Sequence, residues 1–327
     1  MGEPSGIGGE IALKAWSGRR KNKLPPFFVI GDPQWLAAID PAVPVAEIAD
    51  PAACTAYYNK ALPVLPVRLA AAATPGKPDP RNADAVLEAI RIGVQLAQSG
   101  AICALVTNPI EKAVLYNAGF HHPGHTEYLA ELTATAARPV MLLACPATSQ
   151  DPGLRVALAS VHLPLAQAVA NISRTQIIET AQATALALAR DFGIKAPRLA
   201  VAALNPHGGE QGALGREEIE IIAPAVACLQ AAGIDAQGPF PADTLFHAAA
   251  RRRYDCVICM YHDQALIPLK TIDFERGVNV TLGLNIVRTS PDHGVALDIA
   301  GKGLASPASL IAALRMAREI SRFRYDG

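Results

Sequence analysis

Leu199-Ala-Val-Ala-Ala-Leu204 is apolar throughout and stops at Asn205-Pro206-His207. A short, unbroken apolar run bounded by turn residues reads as a strand covered on both faces, the environment of a parallel sheet. The arrangement recurs along the chain. Leu154-Arg-Val-Ala-Leu-Ala-Ser-Val161 stops at His162, and Cys256-Val-Ile-Cys-Met-Tyr261 stops at His262-Asp263. Phe27-Phe-Val-Ile30 runs into Gly31-Asp32-Pro33, and Ile102-Cys-Ala-Leu-Val106 runs into Thr107-Asn108-Pro109.

Between these runs the apolar period changes to that of a helix. Ala83 to Gln98 carries apolar residues at Val86, Ile90, Ile92, Val94, Leu96 and Ala97, opens near Asn82 and Asp84, and has Gly100 to end it. Ser173 to Phe192 opens on a capping Ser and closes at Gly193, and Glu217 to Ala232 closes at Gly233. Ala308 to Ile320 follows Ser306-Pro307, with Pro in the first turn. Strands alternating with helices predict an α/β fold of α/β/α layers around a largely parallel sheet. The Ala- and Pro-rich stretch from Asp40 to Pro80 is expected to be irregular or an edge element. Gly2-Glu-Pro-Ser-Gly-Ile-Gly8 reads as a loop entering a helix with no strand before it; either the fold lacks a first strand or the recorded sequence starts late.

Bulk properties narrow the function. The 327 residues suffice for two domains, and the formal net charge is zero, which sets nucleic acid aside as a partner. No apolar run reaches the roughly 20 residues of a membrane span, and the first residues lack the basic and apolar parts of a secretory signal. Arg251-Arg252-Arg253 reads as a solvated helix end. The spacing of Cys256 and Cys259 fits a redox or zinc pair, but residues three apart on a strand face opposite ways, so both are expected in the core. Six cysteines in a chain this long point to a reducing compartment, the cytosol.

His162, His207 and His262 each stand just past an apolar strand. In parallel α/β sheets these carboxyl ends line the ligand crevice, so three histidines far apart in sequence can converge. Three neutral imidazoles leave a position open on a divalent ion, as catalytic sites require; the competing reading is three local hydrogen bonds. Imidazole favours zinc or cobalt over magnesium. His121, His122 and His247 are read as local. Lys270 and Arg288 are charges in apolar surroundings that would suit a phosphate or carboxylate, or else an ion pair with Asp273, Glu275 or Asp292. Gly124-His125-Thr126-Glu127 opens a helical segment and either directs N–H groups at an anion or merely caps the helix. No Walker A loop occurs, and Gly6-Ile-Gly8-Gly9 is only a fragment of a dinucleotide fingerprint.

The order of motifs carries a resemblance. Gly2 to Gly8, Thr107-Asn-Pro-Ile-Glu-Lys112, Pro123-Gly-His-Thr-Glu127, His162-Leu-Pro164, Leu204-Asn-Pro-His-Gly-Gly-Glu210, Leu214-Gly-Arg-Glu-Glu218, Gly238 to Phe246, Met260-Tyr-His-Asp-Gln264 and Arg288-Thr-Ser-Pro-Asp-His-Gly294 run in sequence over essentially the whole chain. Together they resemble the 4-hydroxythreonine-4-phosphate dehydrogenase family of the vitamin B6 pathway. Asp292 to Gly303 is also similar to the adenosine-side loop of isocitrate and isopropylmalate dehydrogenases. The resemblance implies subunits of two α/β/α domains, 1–122 with 275–327 and 123–274, and an active site in the interdomain cleft. It implies a homodimer that shares its metal ligands, with His162, His207 and His262 holding one zinc, cobalt or magnesium ion. A phosphorylated substrate falls to His125, Thr126, Lys270, Asn279 and Arg288. NAD or NADP falls to Asp292, His293, Gly294, Asp298 and Gly301, and proton transfer to Lys270 or Asp243.

The reaction this implies is oxidation of 4-phosphohydroxy-L-threonine to 2-amino-3-oxo-4-phosphooxybutanoate, which decarboxylates to 3-amino-2-oxopropyl phosphate. Close alternatives are relatives acting on D-threonate or D-erythronate 4-phosphate, or on dihydrodiols of aromatic acids. A metal-dependent hydrolase is the alternative of another class, but it leaves the Asp292 to Gly303 loop unexplained. Departures from the family pattern are the absent first strand, a longer Cys145 to Gly153 segment expected on the surface, and Asn285 where Pro is usual.

Overall fold

The computed structural model describes residues 1–122, 124–135 and 138–325; Pro123 of the Pro123 to Glu127 motif lies outside them. The strands in chain order are β1 (Val29–Gly31), β2 (Val45–Glu47), β3 (Leu62–Pro66), β4 (Leu105–Val106), β5 (Val140–Cys145), β6 (Leu154–Leu158), β7 (Leu199–Ala202), β8 (Ala236–Phe240), β9 (Cys256–Cys259), β10 (Val278–Leu282) and β11 (Arg288–Pro291). Two compact units emerge: Met1–Ala137 with Leu284–Ser321, and Arg138–Gly283 with Arg322–Gly327.

The first unit contains the parallel sheet β1-β3-β2 and the parallel pair β4 and β11. The Asp40 to Pro80 stretch is thus more regular than its composition suggests, and β3 is a central strand despite Pro63 and Pro66. Leu62 and Val64 bond toward β2, through Pro44 C=O and Ile48 N–H. Pro63 precedes the first β1 partner at Val64, and Pro66 lies past the last β2 partner, so neither proline breaks a rung. Helix Gly8–Ser17 buries Ile11, Leu13 and Trp16, and helix Ala308–Tyr325 adds Leu310, Ile311 and Leu314 to the same core. Turn residues, not a strand, precede helix Gly8–Ser17. β1 and β4 both line a cavity of about 320 Å³ whose walls include Phe28, Ile90 and Leu314.

The second unit holds six strands in the order β10-β5-β6-β9-β7-β8. β6, β9, β7 and β8 run parallel, and β5 joins β6 and β10 in antiparallel pairs. Helix Arg174–Asp191 is capped by Ser173, whose Oγ accepts from Gln176 N–H at 3.3 Å. It packs on β5, β6 and β9, as does helix His262–Ile272. Ala265 and Leu269 of the latter join the core that contains Val257 and Cys259, a core without the buried residues of helix Arg174–Asp191, so the two helices cover opposite faces. Cys256 and Cys259 are both fully buried and unpaired. Burial raises both thiols, Cys256 to about 12.

Two local expectations fail for physical reasons. Arg251 is no solvated helix end: it is 8 % exposed, donates to both carboxylate oxygens of Asp151 at 2.5 and 2.7 Å, and so pins the Cys145 to Gly153 segment. The helix expected from Glu217 to Ala232 begins as a π-turn, Glu218–Ile222, before the α-helix Ala223–Ala231. That turn keeps the Glu218 carboxylate inside, where Leu204 N–H and Asn205 N–H need an acceptor.

Candidate active site

In the second unit, the three histidines follow β6, β7 and β9, adjacent strands in the order β6-β9-β7. Two of the three have unusual backbones. His162 has φ 33°, and His207 opens a left-handed turn of five consecutive residues, His207 to Gln211, with φ between 42 and 77°. Three of those five are not glycine, and L-residues resist this conformation at roughly 1–2 kcal/mol each. Such strain survives only where the surroundings impose it, and it concentrates at functional sites.

Glu218 anchors the two residues that lead into the His207 turn. One carboxylate oxygen accepts from Leu204 N–H at 2.8 Å and Asn205 N–H at 2.7 Å, and the other from Asn205 Nδ2 at 3.0 Å. Burial alone raises its pKa, but these hydrogen bonds outweigh burial and leave the carboxyl below its ordinary range. A Cβ on Gly209 would come within 2.6 Å of this carboxylate and 3.0 Å of Gly215 C=O, so the turn closes only around glycine.

The rings of His162 and His262 approach to 6.0 Å between centroids. Two imidazoles on one tetrahedral ion, with metal–nitrogen distances of about 2.0–2.1 Å, have centroids roughly 5 Å apart, so a small ring movement would complete such a pair. His262 Nδ1 lies 2.7 Å from Asp263 Oδ1, which fixes the ring and leaves Nε2 as the donor atom, the carboxylate–histidine arrangement common around metal ions. Donor chemistry and ring spacing both fit a divalent ion. His207 is not gathered with the pair: among the described residues of one chain, no three His, Cys, Asp or Glu side chains form a metal-binding group.

The unit's other candidates are dispersed. Asp243 is exposed in the turn Ala242–Thr244. Lys270 ends helix His262–Ile272, its Nζ 5.2 Å from the Phe274 ring centre. Asn279 sits on β10 with a buried Oδ1 that accepts no hydrogen bond among the described residues.

The first unit carries the remaining anion candidates. Arg288, on β11 and 3 % exposed, donates from Nε and Nη2 to Thr107 Oγ1 at 3.1 and 2.6 Å. β4 and β11 pair with Arg288 opposite Leu105, which brings Thr107 to the guanidinium. Burial pushes the Arg288 pKa down to about 10, still cationic at neutral pH. His125 and Thr126 open helix His125–Leu132. His125 Nε2 is enclosed without a partner among the described residues, and burial, followed by positive charges led by Arg288, holds the ring well below its ordinary pKa. A neutral imidazole beside a buried guanidinium suits an anion whose hydroxyl or acid proton needs an acceptor.

Asp292, His293, Gly294, Asp298 and Gly301 occupy the loop after β11. Asp292 N–H donates to Ser309 Oγ at 3.0 Å, His293 Nδ1 lies 3.0 Å from Gly294 C=O, and Asp298 is exposed. Gly301 has φ 73° and leaves no room for a Cβ beside Pro75. The loop rests on the start of helix Gly8–Ser17, where Ile7 N–H donates to Val295 C=O at 3.1 Å and Gly6 approaches the same carbonyl. Asn285 uses its amide on Thr133 C=O at 3.1 Å, a contact proline would lack.

Thr107, Asp263 and Glu218 were not singled out as site residues in the sequence. Thr107 and Glu218 stand in the recognisable motifs, but their partners lie 181 and 13 residues away and are set by strand pairing and by the π-turn.

The chain is thus an α/β protein with imidazoles at strand ends in one unit and an enclosed arginine in the other. Comparison with known proteins defines it further. The family model described as pyridoxal phosphate biosynthetic protein PdxA matches residues 23–317, and the chain belongs to that family. It is 53 % identical over 328 residues to the 4-hydroxythreonine-4-phosphate dehydrogenase of Caulobacter vibrioides, covering 99 % of this chain and 96 % of the relative. Its fold is that of the 4-hydroxythreonine-4-phosphate dehydrogenase of Klebsiella pneumoniae, with TM-score 0.83 and 35 % identity over 98 % of this chain and 96 % of the other. A terephthalate 1,2-cis-dihydrodiol dehydrogenase from Burkholderia xenovorans is more distant, with TM-score 0.62 and 27 % identity over 97 % of this chain and 95 % of the other.

Proposed function

We propose that the chain is a metal-dependent, NAD(P)-linked dehydrogenase that oxidises 4-phosphohydroxy-L-threonine to 2-amino-3-oxo-4-phosphooxybutanoate, a step toward pyridoxal phosphate. The observation that carries the metal role is the His162 and His262 pair, oriented by Asp263 at strand ends. The substrate follows from the relative 53 % identical to it. A divalent zinc, cobalt or magnesium ion would supply acidity to the substrate's secondary hydroxyl, each pKa unit being worth about 1.4 kcal/mol, and a nicotinamide would supply the hydride acceptor for the carbon that bears it.

Arg288, braced by Thr107, holds the anionic end of the substrate, and His125 and Thr126 accept from or donate to it. Asn279 offers an unused acceptor to a donor such as the substrate amine. Lys270 or Asp243 takes the hydroxyl proton. The β-keto acid product then loses carbon dioxide and gives 3-amino-2-oxopropyl phosphate. The segment Asp292, His293, Gly294, Asp298 and Gly301 takes the dinucleotide.

A homodimer completes the metal site in this reading, with the ligand set His162, His207 and His262 divided between two copies. Within one chain only two of these rings approach, and Leu163, Leu165 and Leu214 expose 43, 60 and 44 % of their surface beside the histidine segments. Six free cysteines support a reducing cytoplasm, and among the described residues no helix is long and apolar enough to cross a membrane.

The test is NAD(P)H formation with 4-phosphohydroxy-L-threonine and, separately, D-threonate 4-phosphate, each with and without a chelator. Turnover of the first that stops on chelation is the expected result. Turnover of D-threonate 4-phosphate alone would move the assignment to that related reaction, and chelator-insensitive turnover would remove the metal.

A further inference from the structure

We propose that Gln264, acting with Ser160, is a positioning residue of the metal site: its buried amide fixes the strand ends that present His162, His207 and His262, each to the site it completes in the dimer. The inference rests on the metal reading above. Gln264 is 7 % exposed and uses both ends of its side chain. Oε1 accepts from Met260 N–H at 2.7 Å, and Nε2 donates to Ala203 C=O at 2.7 Å. Ser160, 3 % exposed, donates from Oγ to Met260 C=O at 2.8 Å.

These three bonds form one line across the ends of β6, β9 and β7. Ser160 stands two residues before His162, Met260 two before His262, and Ala203 four before His207. The regular pairing of β6 with β9 ends at Leu158 and Cys259, and that of β7 with β9 at Val201 and Ile258. Past the β6–β9 pairing Ala159 N–H still donates to Cys259 C=O at 2.8 Å, and from there the side chains of Ser160 and Gln264 carry the connection onward. The line continues the missing rungs with side chains, just where the histidines leave the sheet. Gln264 shares a helix with His262, so it couples the orientation of that helix to the β7 end.

A side-chain tie of this kind holds its geometry because breaking it leaves Met260 N–H and Ala203 C=O buried without partners. Metal ligands need placement within about 0.5 Å, a tolerance that loosened strand ends would exceed. An amide that served folding alone would lower stability when removed and leave the geometry of the bound ion unchanged. The two roles therefore differ in what the ion reports.

The experiment is titration of the full-length protein with Co²⁺, reading affinity and the visible ligand-field spectrum, beside a thermal scan. Gln264→Met keeps the bulk of the side chain and removes both bonds; we expect Co²⁺ affinity to fall roughly 10- to 100-fold with a changed spectrum. Ser160→Ala, which keeps the amide, shifts affinity in the same direction by less, and it decides the matter if Gln264→Met does not fold. Wild-type affinity and spectrum in the variants, with only a lower Tm, would overturn the positioning role and leave the metal reading standing. Failure of the wild-type protein to bind Co²⁺ stoichiometrically would overturn both.

Discussion

Replacing Gly208 and Gly209 separately by alanine isolates the grip of Glu218 on the His207 turn. Both glycines have positive φ, 66 and 77°, so both variants incur the left-handed cost, roughly 1–2 kcal/mol for an L-residue. Their surroundings differ. A Cβ at 208 meets nothing nearer than Pro241 Cγ at 3.8 Å, an ordinary contact. A Cβ at 209 lies 2.6 Å from Glu218 Oε2, the oxygen that accepts from Asn205 Nδ2, and must shift the carboxylate off at least one of its donors. Losing one hydrogen bond to a charged group costs about 1.5–3 kcal/mol. Gly208→Ala should therefore cost about 1–2 kcal/mol and Gly209→Ala about 2.5–5 kcal/mol. For a unit of this size, 1 kcal/mol moves Tm by about 2–4 °C, so calorimetry on the metal-free protein separates the variants. In a Glu218→Ala background the carboxylate is gone and the 3.0 Å approach to Gly215 C=O remains, so the excess cost of Gly209→Ala over Gly208→Ala should shrink without vanishing. Equal Tm values for the two single variants would refute the steric argument, and unchanged costs in the double variant would refute the part assigned to Glu218.

His125 makes stability depend on pH. Its folded pKa is depressed by burial and by positive charges, so below the ordinary value of 6.5 the unfolded chain takes up a proton that the folded chain refuses. Its stabilising share is therefore present above that pH and declines as pH falls through it; Tm of His125→Asn should decline less over the same range, and parallel profiles would count against the assignment. Arg288→Lys gives up the fork on Thr107, and kcat/KM for the phosphorylated substrate should fall roughly 10- to 100-fold, the worth of one hydrogen bond to a charged group. A steady-state assay with the CD spectrum unchanged checks it. Of the six cysteines, only Cys103 and Cys228 are exposed, so a thiol reagent should find two fast groups in the native protein and six after unfolding. Rapid reaction of Cys256 or Cys259 would contradict their burial.

The residues that end the apolar runs were legible because burial on both faces leaves a composition no loop shares. β6, β7 and β9 were found this way, and with them the three histidines. β10 and β11 were not, since Val278-Asn-Val-Thr-Leu282 and Arg288-Thr-Ser-Pro291 carry polar side chains that stay inside only by pairing with distant groups. Thr289 is fully buried because its hydroxyl reaches Ala313 C=O, 24 residues on, a fact no local pattern carries. The resemblance supplied roles for Arg288 and His125, but the Thr107 brace and the neutral state of His125 came from the folded arrangement. Glu218 shows the limit most clearly. Its motif is visible, yet a regular helix was the natural expectation from its period, and only the π-turn reveals that the carboxylate serves Asn205 rather than solvent.

The left-handed run from His207 to Gln211 also decides where an entropic cost falls. A side chain on an ordinary loop gives up its freedom when it meets a ligand, and affinity is reduced accordingly. Here the backbone that aims His207 is already fixed by glycine closure and a buried carboxylate, so that freedom is surrendered during folding. The bare chain carries the strain as lowered stability. An ion that binds only the folded state would return that stability by mass action, in proportion to the logarithm of its concentration over its dissociation constant.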